Sequence, residues 1–148
     1  MSDYRIKLDK KRCIGCHACE VHCKLKNSVP VGVQYNKIIS SGLVDKDGKP
    51  HIAFKYQPCM HCKKPQCVDA CPNQAIYIRE PDKLVLVRTE LCDACGQCIE
   101  ACPWSVPVIR PDTGKMAKCD FCVDRVDAGL DPACVTGCTA KALVFVRP

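Results

Sequence analysis

Aromatic side chains are scarce in this 148-residue chain: one Trp, four Tyr and three Phe. Rings of this kind normally supply much of a core's bulk. The apolar core must therefore be thin, and disulfides or metal centres must help hold the fold. Long apolar runs are missing too. No window approaches the ~18 apolar residues of a membrane span. Residues 1–12, ahead of the first cysteine, contain no apolar run of the kind a secretory or twin-arginine leader needs. The expected setting is a reducing cytoplasm, where cysteine clusters more often bind metal or do redox chemistry than form disulfides. Also missing are a nucleophile–base pair, a Gly-rich phosphate loop and a catalytic carboxylate pair. Their absence argues against bond-making chemistry by this chain alone.

Cysteine is what the sequence has in excess, at 16 of 148 residues. The sixteen fall into four groups with none left over. Group one is Cys13-x2-Cys16-x2-Cys19-x3-Cys23, and group two is Cys59-x2-Cys62-x4-Cys67-x3-Cys71-Pro72. Group three is Cys92-x2-Cys95-x2-Cys98-x3-Cys102-Pro103, and group four is Cys119-x2-Cys122-x11-Cys134-x3-Cys138. A cubane iron–sulfur cluster takes three thiolates from one tight loop and a fourth from elsewhere. The run Cys-x2-Cys-x2-Cys-x3-Cys-Pro is the bacterial ferredoxin pattern, in which the fourth cysteine ligates the other cluster of a pair. Group three matches it completely, and group one departs only in having Lys24 after its last cysteine. Sixteen ligands therefore make four closed 4Fe–4S sites whose loops exchange fourth cysteines.

Other uses of the same residues fit less well. Four all-cysteine zinc sites would also consume sixteen thiolates, but zinc motifs come as two Cys-x2-Cys pairs with a spacer. A structural zinc protein is the remote alternative. Cys13-Ile-Gly-Cys16-His17 is the attachment motif of c-type haem, yet Cys19 and Cys23 continue the ferredoxin run. With no cysteine missing, His17, His22, His51 and His61 are not needed as ligands. His61, lying between Cys59 and Cys62, is placed to tune a nearby sulfur. Trp104 is read as packing over a cluster, and the charge runs Lys10–Arg12 and Lys63–Lys64 as solvated.

The formal charge of +6 raises nucleic-acid binding as a possibility. Each oxidised site would carry about −2 once its four thiolates are counted. Four of them bring the loaded chain to about −2, so the surplus Lys and Arg is compensation, and nucleic acid is excluded as a partner.

Between the groups, short alternating stretches predict strands at 5–8, 75–78, 84–87, 106–109, 115–118 and 142–146. Turns are predicted at 79–83, 111–114 and 45–48. Short helices are expected around Gln66–Cys71 and Gln97–Cys102, and residues 24–58 read as an inserted surface loop with a hairpin.

The layout resembles the four-cluster iron–sulfur subunits of the dimethyl-sulfoxide-reductase type. The resemblance rests on Pro58–Cys62 through Pro72, Cys92–Cys98 through Pro103, and Lys118-Cys-Asp-Phe-Cys-Val-Asp-Arg125 with its distant Cys134 and Cys138. It covers nearly the whole chain. It implies an α+β fold of two fused, pseudo-symmetric bacterial-type ferredoxin modules in one compact domain. One module would come from about 1–23 and 104–148, the other from about 59–103, with 24–58 inserted. It also implies nested sharing of ligands. Cys13, Cys16, Cys19 and Cys138 would hold one cluster, and Cys119, Cys122, Cys134 and Cys23 its neighbour. Cys59, Cys62, Cys67 and Cys102 would hold a third, and Cys92, Cys95, Cys98 and Cys71 the fourth. Spacing alone leaves sequential pairing open.

The expected function is electron relay, with no catalysis by the chain itself. The partners implied are a molybdenum- or tungsten-pterin catalytic subunit at one end, as in tungsten aldehyde oxidoreductases. A flavoprotein subunit, a soluble ferredoxin or further copies of the chain would serve the other. A free-standing polyferredoxin serving a hydrogenase or formate dehydrogenase is the alternative.

Overall fold

The structure is a computed structural model describing residues 3–148. Met1 and Ser2, assigned above to the first module, lie outside the described residues. The chain opens with β1 (Arg5–Leu8), which pairs antiparallel with β10 (Leu143–Val146) at the far end, so the two termini close one sheet. Its register sets Ile6 opposite Phe145 and Leu8 opposite Leu143. Tyr4 stacks on Phe145 at 5.3 Å between ring centroids, and Phe145 meets Phe121 edge-on at 6.1 Å. Three of the eight aromatic residues thus meet where the two chain ends pair.

A second strand pair lies mid-chain, β6 (Ile76–Ile78) with β7 (Val85–Val87). Its turn closes through Arg79 and Leu84: the Arg79 N–H donates to Leu84 O at 2.7 Å, and the Lys83 N–H returns to Arg79 O at 2.8 Å. The apolar face carries Ile76, Leu84 and Val85 into the interior, each at most 2% exposed. A third pair is β8 (Val108–Ile109) with β9 (Met116–Ala117), turning at the Pro-Asp-Thr-Gly segment. These pairs fall where alternation predicted them, one or two residues shorter.

The segment 24–58 divides into two parts. Its tip, β3 (Val44–Lys46) paired with β4 (Lys49–His51), is exposed throughout. Its base, β2 (Lys37–Ser40) paired with β5 (Phe54–Gln57), is anchored by the buried residues Val33, Tyr35, Asn36 and Tyr56. Asn36 Nδ2 donates to Tyr56 Oη at 2.9 Å and Lys24 Nζ to Val33 O at 2.6 Å, satisfying polar groups that burial would otherwise penalise.

The helices are short apart from α1 (Ala18–Asn27): α2 is Gln66–Asp69, α3 Gln97–Ala101, α4 Val123–Asp127 and α5 Ala133–Thr136. None is long or apolar enough to cross a membrane, among the described residues. Helices this short are not stable alone. Among the described residues, eight of the 25 buried hydrophobic ones are cysteines, which places the core around the thiols instead of beside them.

Candidate functional site: four cysteine quartets

The four groups share one local architecture. In every group the third cysteine (Cys19, Cys67, Cys98, Cys134) is the second residue of a helix. Before it, the residue preceding the second cysteine takes a left-handed conformation: Gly15 (φ 65°), His61 (φ 42°), Ala94 (φ 61°) and Phe121 (φ 59°). For a residue with a Cβ this costs about 1–2 kcal/mol. Its use is to curl the loop so that backbone N–H groups point at sulfur. His61 donates to Cys59 Sγ at 3.5 Å, and Ala94 to Cys92 Sγ at 3.4 Å. In the two Cys-Asp-x-Cys loops, the aspartate side chain braces the curl by accepting from the second cysteine's N–H: Asp93 from Cys95 at 3.1 Å, Asp120 from Cys122 at 2.8 Å.

Three groups also finish alike. Gln74, Ser105 and Lys141, each three residues past a fourth cysteine, are left-handed and donate to that cysteine's carbonyl at 3.0–3.2 Å. The next N–H then reaches sulfur, Ala75 to Cys71 at 3.3 Å and Ala142 to Cys138 at 3.2 Å. Thr139 therefore supports the same turn as Pro72 and Pro103. Group one differs: Cys23 stays inside α1, and Asn27 Nδ2 approaches its sulfur at 3.6 Å.

All sixteen cysteines are free thiols. Cys13, Cys16, Cys19 and Cys138 line one cavity. Cys59, Cys62, Cys67 and Cys102 line a second, together with Trp104 and Lys118. A third is lined by Cys92, Cys95, Cys98 and Cys71. The other four thiols feel one another: burial and then the charges of Cys134 and Cys122 push the Cys23 thiol up to about 12. Cys119, also buried, is raised by burial and then by Cys59, Cys134 and Cys23. The structure thus brings each fourth cysteine to thiols of a different group.

Burial is the leading cause of every raised thiol here, taking Cys19 to about 12 and Cys67 and Cys134 to about 11. Such thiols stay protonated until a metal replaces the proton, so loading and proton release are coupled. Among the described residues, no three His, Cys, Asp or Glu side chains converge as on a single ion. The thiols instead stand apart around a space, with amides aimed at their sulfurs. That donor set suits a cubane, whose sulfurs accept such hydrogen bonds.

The histidines take distinct places. His17, His22 and His51 are exposed, with His17 Nδ1 3.1 Å from Glu20. His61 is fully buried, its ring 4.1 Å from that of Phe121. Its Nδ1 accepts from the Val85 N–H at 2.9 Å, so Nε2 carries the proton. Burial, then the charge of Lys118, hold its pKa well below the ordinary histidine value, leaving the ring neutral. Sequence reasoning placed His61 near a sulfur. The side chain supports β7, and only its backbone meets Cys59.

Two contributors were not visible in the sequence. Tyr56 hydrogen-bonds the Cys134 sulfur from the base of the 24–58 segment. Lys118, read as the last residue of a strand, is only 5% exposed beside the Cys59 cavity. At Cys67 its charge works against burial.

Residues 50–147 match the 4Fe–4S dicluster domain, and residues 12–75 match a second domain of the same description. The chain belongs to the 4Fe–4S dicluster family. Two such domains and sixteen cysteines give it four 4Fe–4S clusters. Relatives within the family extend over nearly the whole chain. It is similar to the thiosulfate reductase electron transfer subunit of Salmonella typhi, 40% identical over 99% of this chain and 77% of that protein. A tetrathionate reductase subunit from Salmonella typhimurium is 38% identical over 96% of this chain and 57% of its own length. A component of the polysulfide reductase of Wolinella succinogenes is 38% identical over 93% and 72%. The chain spans 66% of a further relative from Halobacterium salinarum, so several of these proteins are considerably longer.

Proposed function

We propose that this chain is the electron-transfer subunit of an oxidoreductase complex, with no catalysis of its own. It relays single electrons between a molybdenum- or tungsten-pterin catalytic subunit and a second carrier. When bound, each cluster takes up and gives back one electron.

The carrying observation is the order of the quartets. Cys19 feels Cys134, and Cys119 feels Cys59, so the Cys119 quartet lies between that of Cys13 and that of Cys59. The quartet of Cys92 shares α2–α3 packing and the β6–β7 hairpin with that of Cys59. The result is a row of four. Of the two inner quartets, that of Cys119, Cys122, Cys134 and Cys23 is buried throughout and that of Cys59 has no exposed thiol, whereas Cys16 and Cys95, in the two outermost quartets, are exposed. A row insulated in the middle and open at both ends suits passage through the chain.

The ligand grouping behind the row is the nested one. It divides the chain into a module from both ends and a module from about 59–103. The three cavities and the coupling among the remaining thiols support it. The protein's part is to fix spacing, keep water out and set each potential through hydrogen bonds and charge.

The test is electron transit through an anaerobically loaded chain in complex with its catalytic partner. Cys98→Ala, which opens the Cys92 quartet, should stop transit with local damage only. A normal transit rate in that variant would remove the row from the mechanism. Recovery of the native chain as a lone monomer, with no large partner, would favour the free-standing polyferredoxin.

A further inference from the structure

Lys118 is the one lysine whose side chain is buried among the described residues, at 5% exposure. Its ammonium donates to two neutral carbonyls, Val85 O and, at 3.1 Å, Cys119 O. No carboxylate pairs with it among the described residues, although Lys26 and Lys83 each have one. On one side it lines the cavity of Cys59, Cys62, Cys67 and Cys102. On the other it borders a cavity of about 350 Å³ whose single carboxylate, Asp120, is occupied by the Cys122 N–H and forms no ion pair with it.

Burying an ammonium against carbonyls alone costs several kcal/mol. A glutamine could make comparable hydrogen bonds, and a methionine could fill the volume, without desolvating a charge. A buried charge is sustained when an opposite charge faces it. Here that charge is supplied by the loaded Cys59 quartet, at about −2 when oxidised and about −3 when reduced. The exposed Lys63 and Lys64 beside the same loop are screened by solvent and cannot substitute.

We propose that Lys118 is a positioning residue that sets the electron affinity of the cluster held by Cys59, Cys62, Cys67 and Cys102. Its fixed positive charge favours the reduced, more negative state of that cluster and makes it an electron-holding station in the row. The inference rests on the four-cluster reading, but not on which partner the chain serves. It predicts one site, out of four, whose potential depends on a single buried side chain.

The experiment is a potentiometric titration, followed by electron paramagnetic resonance, of the anaerobically loaded full chain carrying Lys118→Met, Lys118→Gln or Lys118→Arg. In the two neutral variants the reduction equilibrium of one cluster should fall by about tenfold or more, which is about 59 mV for one electron. The fall should be similar at low and high salt, because the charge is buried. Lys118→Arg should keep the potential within about threefold of the native value, which for one electron is about 28 mV. To place the shift, Lys118→Met is added to Cys67→Ala, which opens the Cys59 quartet, and the largest shift should then disappear. Neutral variants that lose about four irons while Lys118→Arg retains them would also support the charge. Unchanged potentials in fully loaded Lys118→Met would overturn the proposal. So would equal loss of iron in all three variants, which would make Lys118 a packing residue. Iron near the native content with altered potentials but no electron transit would count against the relay function and not against Lys118.

Discussion

Iron counting in paired cysteine variants separates sequence groups from clusters. If the nested grouping holds, Cys71 belongs with Cys92, Cys95 and Cys98, whose shared cavity it lines, and not with Cys67 four residues before it. Cys67 lines a different cavity, with Cys59, Cys62 and Cys102. Removing one thiolate opens a site and releases a whole cubane, about four irons, or about one if it collapses to a three-iron centre. Cys71→Ala and Cys98→Ala, as single variants, should each lower the iron content by that unit. Their combination should also lower it by that one unit in total and no more, because one cluster cannot be lost twice. Combining Cys71→Ala with Cys67→Ala should lower it by two units, to about eight irons if both cubanes leave entirely. The assay is colorimetric iron and acid-labile sulfide on anaerobically prepared protein, with circular dichroism to show that the chain remains folded. Non-additivity is the signal, so the absolute loading matters little. If Cys71→Ala and Cys67→Ala behave as one site while Cys71→Ala and Cys98→Ala add, the groups close on themselves and the nested row is wrong.

Other parts of the structure make further commitments. Leu84 is wholly enclosed between hairpin and core, and Leu84→Ala should cost about 3 kcal/mol in denaturant unfolding. Gly15→Ala meets two obstacles. It imposes a left-handed strain of about 1 kcal/mol, and its Cβ would lie 2.4 Å from the Phe54 ring. The melting temperature should fall, and iron should be lost from the Cys13 quartet first. Arg79 bridges the β6–β7 turn to α4, donating to Asp82 Oδ1 at 3.1 Å and to the Asp127 carboxylate at 2.8–2.9 Å. Arg79→Met should cost about 1–2 kcal/mol, a value between exposed and buried pairs. Burial alone would raise the Asp82 pKa, but the Arg79 hydrogen bond and charge hold it below the ordinary carboxylate value. That stabilisation is therefore complete above the unfolded carboxylate pKa and is lost as pH falls through the lower folded value. An acid unfolding curve should show the contribution of this pair vanishing below about pH 4, and Arg79→Met should flatten that limb.

The cysteine spacing carried most of the site's design, because a ligand set must keep its intervals. Each predicted hairpin had a turn former at a fixed place: Gly48, Gly114, or the Pro-Asp-Lys run at 81–83. Less visible was what lies between the cysteines. His61, Ala94 and Phe121 adopt a backbone that sequence assigns by default to glycine, and only Gly15 announces it. Tertiary closure holds the other three. The Phe121 ring, for instance, is fixed between His61 and Phe145. The base of the 24–58 segment was equally hidden. Tyr35 and Tyr56 are spaced by a hairpin tip whose exposed Leu43, Val44 and Ile52 break any amphipathic pattern. Lys118 was concealed for a different reason. A lysine is ordinarily a surface residue, and its burial follows from negative charge that belongs to the cofactors and not to the amino acids.

The most direct test is composition. Anaerobically purified protein should contain about sixteen irons and about sixteen acid-labile sulfides per chain. It should be brown, with a broad absorption that bleaches on reduction. A colourless preparation holding about four zinc ions and no sulfide would contradict the account at its root.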